Sequence, residues 1–229
     1  MIDADKMRRS EALCQKDHIM RLSLIAMSGS GKSYWANQLA GIGFERFSCD
    51  EMIALKLFDE LIQPDGSFMP MGKWMGLPYQ KNYFERESKY LANEKQVLKE
   101  IFKIIENNYS DPESNIVIDT TGSIIYTGRE ILNKLRRHTT VVHLKTPKQI
   151  QAQMYRAYLA RPRPVLWRGK FRKKSHEKNK EALARCYPKL VAYRERLYEH
   201  YAHISIDYER YRKKGLTATD FLRELNLKK

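Results

Sequence analysis

The spacing of apolar positions changes along this chain, and each change predicts an element. A short, largely apolar strand pattern over 22–26 stops at a turn rich in glycine and serine. A helical pattern opens there at Gly31 or Lys32 and runs to about Ala40, where Gly41 and Gly43 end it. Residues 44–48 predict a second strand, and Ile53, Leu57, Phe58 and Leu61 predict a helix over 51–62. Residues 63–80 hold Pro64, Gly66, Pro70, Gly72, Gly76 and Pro78, which excludes a regular element. Met69, Met71, Trp74 and Met75 in the same stretch predict an ordered loop, one that either covers a substrate or packs on its own apolar side chains.

A long amphipathic helix is predicted over 83–107 and a buried strand over 115–118, which ends at Asp119-Thr120-Thr121-Gly122-Ser123. A helix over 129–137, a strand over 140–144 and a helix over 147–159 with proline in its first turn continue the alternation. Strand and helix in turn predict right-handed crossovers and a parallel sheet. Residues 160–180 break the rhythm with Arg161-Pro162-Arg163-Pro164, Trp167, Phe171 and a basic run, read either as a lid closing over triphosphate or as a basic arm for nucleic acid. A helix over 176–200, a strand over 202–206 and a helix over 217–227, capped by Thr217 or Thr219, complete the pattern. Tyr187, Tyr193, Tyr198 and Tyr201 sit at near-helical spacing, which predicts packing and not stacking platforms.

The chemistry concentrates where the first strand meets the first helix. Gly29 and Gly31 allow backbone conformations closed to other residues, so that the amides of Ser28, Gly29, Ser30, Gly31 and the following turn can converge on a phosphate. The helix start adds free N–H groups, including that of Tyr34, and a positive dipole end. Lys32 then reaches the outer phosphates, and the Ser33 hydroxyl can hold magnesium. Ala26 stands where the usual phosphate-loop pattern has its first glycine, a substitution of small cost if φ stays negative there. Asp50 and Asp119 each follow a strand, at the end of a parallel sheet where ligands bind. Asp119 is a candidate for organising magnesium, or else caps the next turn.

With 229 residues, 42% of them hydrophobic, one α/β domain over 19–229 after a lead-in at 1–18 is the simplest partition. No apolar run approaches the roughly 18 residues of a membrane span, and the N-terminus lacks the apolar core of a signal peptide, so a cytoplasmic protein is expected. Three scattered cysteines predict neither a disulfide framework nor a cysteine metal site. The formal net charge of +15 invites a polyanionic partner, and nucleic acid is one such partner.

Several segments in order resemble the shikimate kinase family of P-loop kinases. They are Gly29-Ser30-Gly31-Lys32-Ser33, Asp50 after the second strand, Asp119-Thr120-Thr121-Gly122-Ser123, the lid arginines Arg156 and Arg163, and Arg194-Glu195-Arg196-Leu197-Tyr198. The resemblance implies a five-stranded parallel sheet in the order 2-3-1-4-5, with a lid over 160–180 and an inserted loop over 63–80. It also implies ATP and Mg2+ as cofactors and transfer of the γ-phosphoryl group to a hydroxyl. Arg156 would border the adenine, Arg163 would meet the transferring phosphate, Asp50 would hold the acceptor hydroxyl, and Arg194 would bind an acidic group on the acceptor.

The acceptor side departs from the family. Ser48-Cys49-Asp50 replaces Asp-x-Asp, and Thr121-Gly122-Ser123 replaces a triple glycine. A second acceptor-binding arginine has no direct match: aligning Glu94 puts Leu91 there, and Arg86 requires a shift. The expectation is therefore a kinase with an altered site for a small anionic acceptor, with Gly122 and Arg86 among its lining residues. An RNA- or DNA-end or nucleotide kinase, and a non-catalytic ATP-binding module, are the alternatives.

Overall fold

The computed structural model describes residues 19–107 and 114–225. The lead-in expected over 1–18, and the end of the last helix predicted at Leu227, lie outside the described residues. Strands β1 (Arg21–Ile25), β2 (Phe44–Ser48), β3 (Asn115–Asp119), β4 (Thr140–Leu144) and β5 (Ile204–Ile206) form one parallel sheet in the order β2-β3-β1-β4-β5. In register, Asp119 lies beside Leu24 on one side and Ser48 on the other, so β1, β2 and β3 end together. The loops that leave those three ends face one cleft.

In chain order the helices are α1 (Lys32–Ala40), α2 (Cys49–Lys56), α3 (Phe58–Leu61), α4 (Met71–Met75), α5 (Tyr83–Glu106), α6 (Arg129–His138), α7 (Lys148–Ala160), α8 (Asn179–Tyr201), α9 (Tyr208–Tyr211) and α10 (Ala218–Glu224). The twofold alternation of strand side chains divides the core between the sheet's faces. Leu22, Leu24, Val117, Val142 and Leu144 pack with Trp35 of α1 and Phe221 of α10, whose rings stack at 4.3 Å. Ile25, Ile116, Ile118 and Val141 pack on the other face against α5, α6 and α8. Ala26 is fully buried on the α1 face, and its φ is not positive, which explains why alanine serves in place of glycine there.

The predicted helix over 51–62 is jogged at Leu57 into α2 and α3, although backbone bonds Leu57 N–Ile53 O and Leu61 N–Leu57 O carry the chain through. The stretch over 63–80 contains a short helix, α4, that the prolines and glycines concealed. Its Trp74 and Met75 are buried in the core, and Arg86 of α5 donates to the Trp74 carbonyl at 2.5 Å. Each large apolar side chain buried in this way contributes roughly 1.5–3 kcal/mol, enough to hold an irregular loop in place.

The basic segment after α7 is anchored near its middle, while most of its cationic side chains are exposed. Val165, Leu166 and Trp167 are buried, and the Tyr83 hydroxyl donates to Val165 O at 2.8 Å while accepting from Trp167 N at 2.8 Å. Glu87 accepts from Arg168 N at 2.8 Å. The predicted strand over 202–206 is shortened to Ile204–Ile206, and the helix predicted from residue 176 begins at Asn179. Tyr187 and Tyr198 are packing residues, as their spacing predicted. No helix among the described residues is long and apolar enough to cross a membrane.

Candidate active site

The turn between β1 and α1 takes the shape its glycines predict. Gly29 has φ of 90° and Gly31 of 112°, and Ser30 N closes the turn on Met27 O at 3.2 Å. No acidic residue occupies the first turn of α1 and no side chain caps it, so its amides are left for an anion. Lys32 is buried, with Nζ resting on the carbonyls of Ala26 and Met27 at 3.1 and 3.2 Å. Burial pulls its pKa below the ordinary value, against the attraction of Asp119 and Asp50.

Asp119, at the end of β3, is buried. Burial raises its pKa, opposed by Lys32 and by the nearby Ser33 hydroxyl. The cation Arg46 lies 3.7 Å away and pairs with Glu51 at 2.7 Å. Ser33 and Asp119 therefore form an oxygen-donor pair of the kind suited to a hard cation such as magnesium. Asp50 opens α2 just beyond β2 and accepts from the Tyr90 hydroxyl at 2.7 Å.

Gly122 crosses directly above the phosphate loop. A Cβ at this position would lie 3.1 Å from Ser28 N and 3.5 Å from Ala26 O, so any larger residue would press on the loop. On either side of it, the hydroxyls of Thr121 and Ser123 donate to the buried carboxyl of Glu94, the Ser123 bond being 2.6 Å. Burial raises the Glu94 pKa to about 7, against the lowering effect of those two hydroxyls.

These elements enclose a cavity of about 240 Å³ lined by Ser28, Gly29, Gly31, Lys32, Ser33, Tyr34, Asp50, Gly122, Arg163 and Pro164. An adjoining cavity of about 140 Å³ runs from Ser28, Gly29 and Ser30 along α7, past Gln153, Met154 and Ala157, to Tyr208 and Arg212. Arg163 lines both cavities. The structure thus gathers Ser28 to Tyr34, Asp50, Gly122 and Arg163, and keeps Asp119 behind Ser33.

Three predicted residues sit elsewhere. Arg156 is exposed on α7 and lines neither cavity. Arg86 lies against the Trp74 ring, 5.8 Å from its centroid, and is engaged by that residue's carbonyl. Arg194 is buried and also lines neither cavity: its guanidinium donates to Gly122 O at 3.0 Å and to Leu166 O, and lies over Tyr126. The structure adds Tyr90, Glu94, Arg46 and Arg212, none of which was among the predicted site residues. The signal for the first two was a polar ladder on the buried stripe of α5, where Tyr83, Glu87, Tyr90 and Glu94 recur at spacings of four, three and four.

The sheet order, the loop and the carboxylates at the strand ends define a P-loop protein with the fold of small-molecule kinases. Shikimate kinases are among the solved structures similar to it. The enzyme of Acinetobacter baumannii, in complex with shikimate, has a TM-score of 0.57 at 22% identity, over 91% of this chain and 91% of that one. The enzyme of Aquifex aeolicus has a TM-score of 0.56 at 19% identity, over 90% and 96%. That of Bacteroides thetaiotaomicron has 0.57 at 16%, over 92% and 98%. At these identities the similarity is one of fold. No protein-family model matches the chain, and no curated protein matches it in sequence.

Proposed function

We propose that this protein is an ATP-dependent phosphotransferase that moves the γ-phosphoryl group to a hydroxyl of a small acceptor. The observation that carries this reading is the shared cavity: Lys32, Asp50, Gly122 and Arg163 line one space at the ends of β1, β2 and β3. Phosphoryl transfer needs an in-line pair of oxygens and cations on the developing charge, and little covalent help from the protein.

The loop amides and the start of α1 would hold the phosphates, with the nucleoside extending into the cavity along α7. Lys32 leaves its carbonyl contacts for the outer phosphates, and Arg163 bears on the group in transfer. Asp50 orients the acceptor hydroxyl and takes its proton as the new O–P bond forms and the bond to the β-phosphate oxygen breaks, releasing ADP. Ser33 and Asp119 would hold a magnesium ion, which when bound neutralises charge on the outer phosphates.

Lys32 and Arg163 are the cations among the described residues lining this cavity, and both serve the phosphates. Arg86 and Arg194 are engaged by carbonyls, so the geometry favours recognition of a polyol or other hydroxyl compound through Asp50 over capture of a carboxylate. The test is γ-labelled ATP incubated with separate pools of polyols, hydroxy acids and nucleosides. Label is expected in a hydroxyl compound with the native chain and not with Lys32→Met. Nucleotide binding without transfer to any pool would overturn the reading.

A further inference from the structure

The phosphate loop occupies one end of the sheet, and the opposite end gathers a second group of cations. A cleft of about 580 Å³ opens there, at the amino-terminal edge of β1 and β4, where Leu22 lies in register with Thr140. Arg21 lines it from the start of β1, Arg136 and Arg137 from the last turn of α6, and His203 from the residue before β5. Among the described residues no carboxylate lines it. Basic residues in the last turn of a helix complement its dipole, which by itself accounts for Arg136 and Arg137. It does not account for Arg21 and His203, which arrive from other elements.

The polar groups here are held in defined states. Arg136 Nη1 donates to the carbonyls of Tyr201 and Ala202 at 2.6 and 3.2 Å, which anchors its guanidinium to the end of α8. His203 is clamped to β4: its backbone N donates to Val141 O at 2.8 Å, and its ring Nδ1 accepts from Val141 N at 3.0 Å. That second bond leaves the ring proton on Nε2, so the imidazole presents a donor. Burial, and after it Arg136, holds the His203 pKa below its ordinary value, so at neutral pH the ring donates without adding charge. Nε of Arg21 is buried and has no acceptor among the described residues. Glu106 is taken by Lys134 at 2.9 Å and by His138 at 3.0 Å, and no described carboxylate pairs with Arg21, Arg136 or Arg137. Guanidiniums gathered without counter-charge repel one another, and a buried donor without a partner costs stability, so an anion in the cleft would relieve both.

We propose that this cleft is a second anion site, for a small compound with two or more phosphate groups held by Arg21, Arg136 and Arg137, with His203 Nε2 donating to one oxygen. Guanidiniums meet phosphate oxygens through paired, charge-assisted hydrogen bonds, which a lysine replaces only as a point charge. The cations converge on one cleft and do not form a track, which suits a compact polyanion better than a nucleic-acid strand. The site stands at the other end of the sheet from Lys32 and does not rest on the kinase reading.

The test is a titration of inorganic pyrophosphate into the native chain, followed by the imidazole resonances in NMR spectra, with the His203 signal assigned from its loss in His203→Gln. The His203 signal is expected to move and to saturate. Pyrophosphate also fits the phosphate loop, so the same titration is run on Lys32→Met, where the His203 response should be unchanged. Arg137→Gln and Arg21→Gln should each weaken the response by roughly tenfold or more, from the usual strength of hydrogen bonds to charged groups. Arg137→Lys should fall between Arg137→Gln and the native chain. Arg137 is exposed, so its replacement leaves the packing intact, and melting temperatures of the free variants report whether the same holds for Arg21.

A His203 signal that stays still, or that moves equally with sodium chloride at matched ionic strength, overturns the inference. So does a native-like response in both Arg137→Gln and Arg21→Gln, or a response that disappears in Lys32→Met. A single-stranded RNA oligomer that moves the signal at lower concentration than pyrophosphate, with affinity that falls steeply with salt, would overturn the assignment to a small anion and make the cleft part of a nucleic-acid surface. A native chain that transfers phosphate to nothing but gives the expected His203 response would remove the kinase reading and leave this site standing.

Discussion

The hydroxyl of Tyr90 donates to Oδ1 of Asp50 across 2.7 Å, joining the middle of α5 to the first turn of α2. Asp50 is exposed at the cavity while Tyr90 is buried behind it, so the phenol holds one carboxylate oxygen from beneath and leaves the other open to the cavity. Tyr90→Phe removes that bond and keeps the ring. A hydrogen bond to a charged group contributes roughly 1.5–3 kcal/mol, so turnover is expected to fall about tenfold or more, with nucleotide affinity unchanged. Asp50→Asn, which keeps the shape and removes the proton acceptor, should cost roughly a hundredfold or more. Steady-state kinetics beside ADP titration would check both, and a Tyr90→Phe variant with native turnover would show that Asp50 needs no such support.

Glu94 makes stability depend on pH in a predictable direction. Its carboxyl has a pKa of about 7 in the fold against an ordinary 4.5, with burial the largest cause. Between those values the native state keeps a proton that the unfolded chain has released, so this group's contribution falls as pH rises through the interval. It is fully present below pH 4.5 and lost above about 7. The span corresponds to about 3 kcal/mol. Glu94→Gln, permanently neutral, should flatten that part of the curve. Urea unfolding of both proteins across the interval would measure it, and parallel curves would place the native titration elsewhere.

How much of this was readable in the sequence depended on how local each feature is. Gly29, Gly31, Lys32 and Ser33 are contiguous, and their geometry follows from backbone rules. Asp50 and Asp119 were legible because a parallel sheet brings its carboxyl ends together, which the register of Ser48, Asp119 and Leu24 confirms. Tyr90 and Glu94 act across the gap between α5 and the strand ends: their spacing marks a polar ladder on the buried stripe of the helix, but not what that ladder meets on the other side. Arg86 and Arg194 show the converse limit. A long side chain reaches several partners, and whether it meets solvent, a ligand or a carbonyl depends on packing that periodicity does not specify. Arg212 was hidden for a third reason: the turn of helix α9 that presents it is too short to leave a hydrophobic period.

Arg194 links the Gly122 segment to the segment after α7 through the carbonyls of Gly122 and Leu166. Arg194→Met fills the volume but leaves Leu166 O without that donor, while the Tyr198 hydroxyl still serves Gly122 O. One orphaned buried carbonyl costs roughly 1–3 kcal/mol, which in a domain of this size lowers the melting temperature by about 2–10 °C. Arg194→Lys should recover part of the loss, because an ammonium cannot span both carbonyls as the guanidinium fork does. Faster tryptic cleavage of the basic stretch after Leu166 should accompany the drop. Unchanged melting and proteolysis with a raised acceptor KM would instead make Arg194 a substrate contact.

Gly72 joins the stretch over 63–80 to the segment after α7. It is buried in α4, and a Cβ there would fall 1.8 Å from Pro162 O and 2.7 Å from the Arg163 Cα. Both neighbours are backbone, so Gly72→Ala must displace either α4 or the segment that carries Arg163. α4 is held by buried Trp74 and Met75 and by the Arg86 bond to the Trp74 carbonyl, whereas residues 161–164 have no regular structure, so the latter are expected to yield. A shift of about 1 Å in a group that positions reacting atoms can cost roughly a hundredfold in rate. Overpacking of this kind costs about 1–3 kcal/mol in stability. Gly72→Ala should therefore lose most of its turnover while binding ADP nearly as well as native protein. Gly41→Ala, at a position with φ of −63° and no added atom closer than 3.4 Å, serves as the control and should be close to native in both. Native turnover in Gly72→Ala would show that Arg163 is placed by its anchor at Val165 alone.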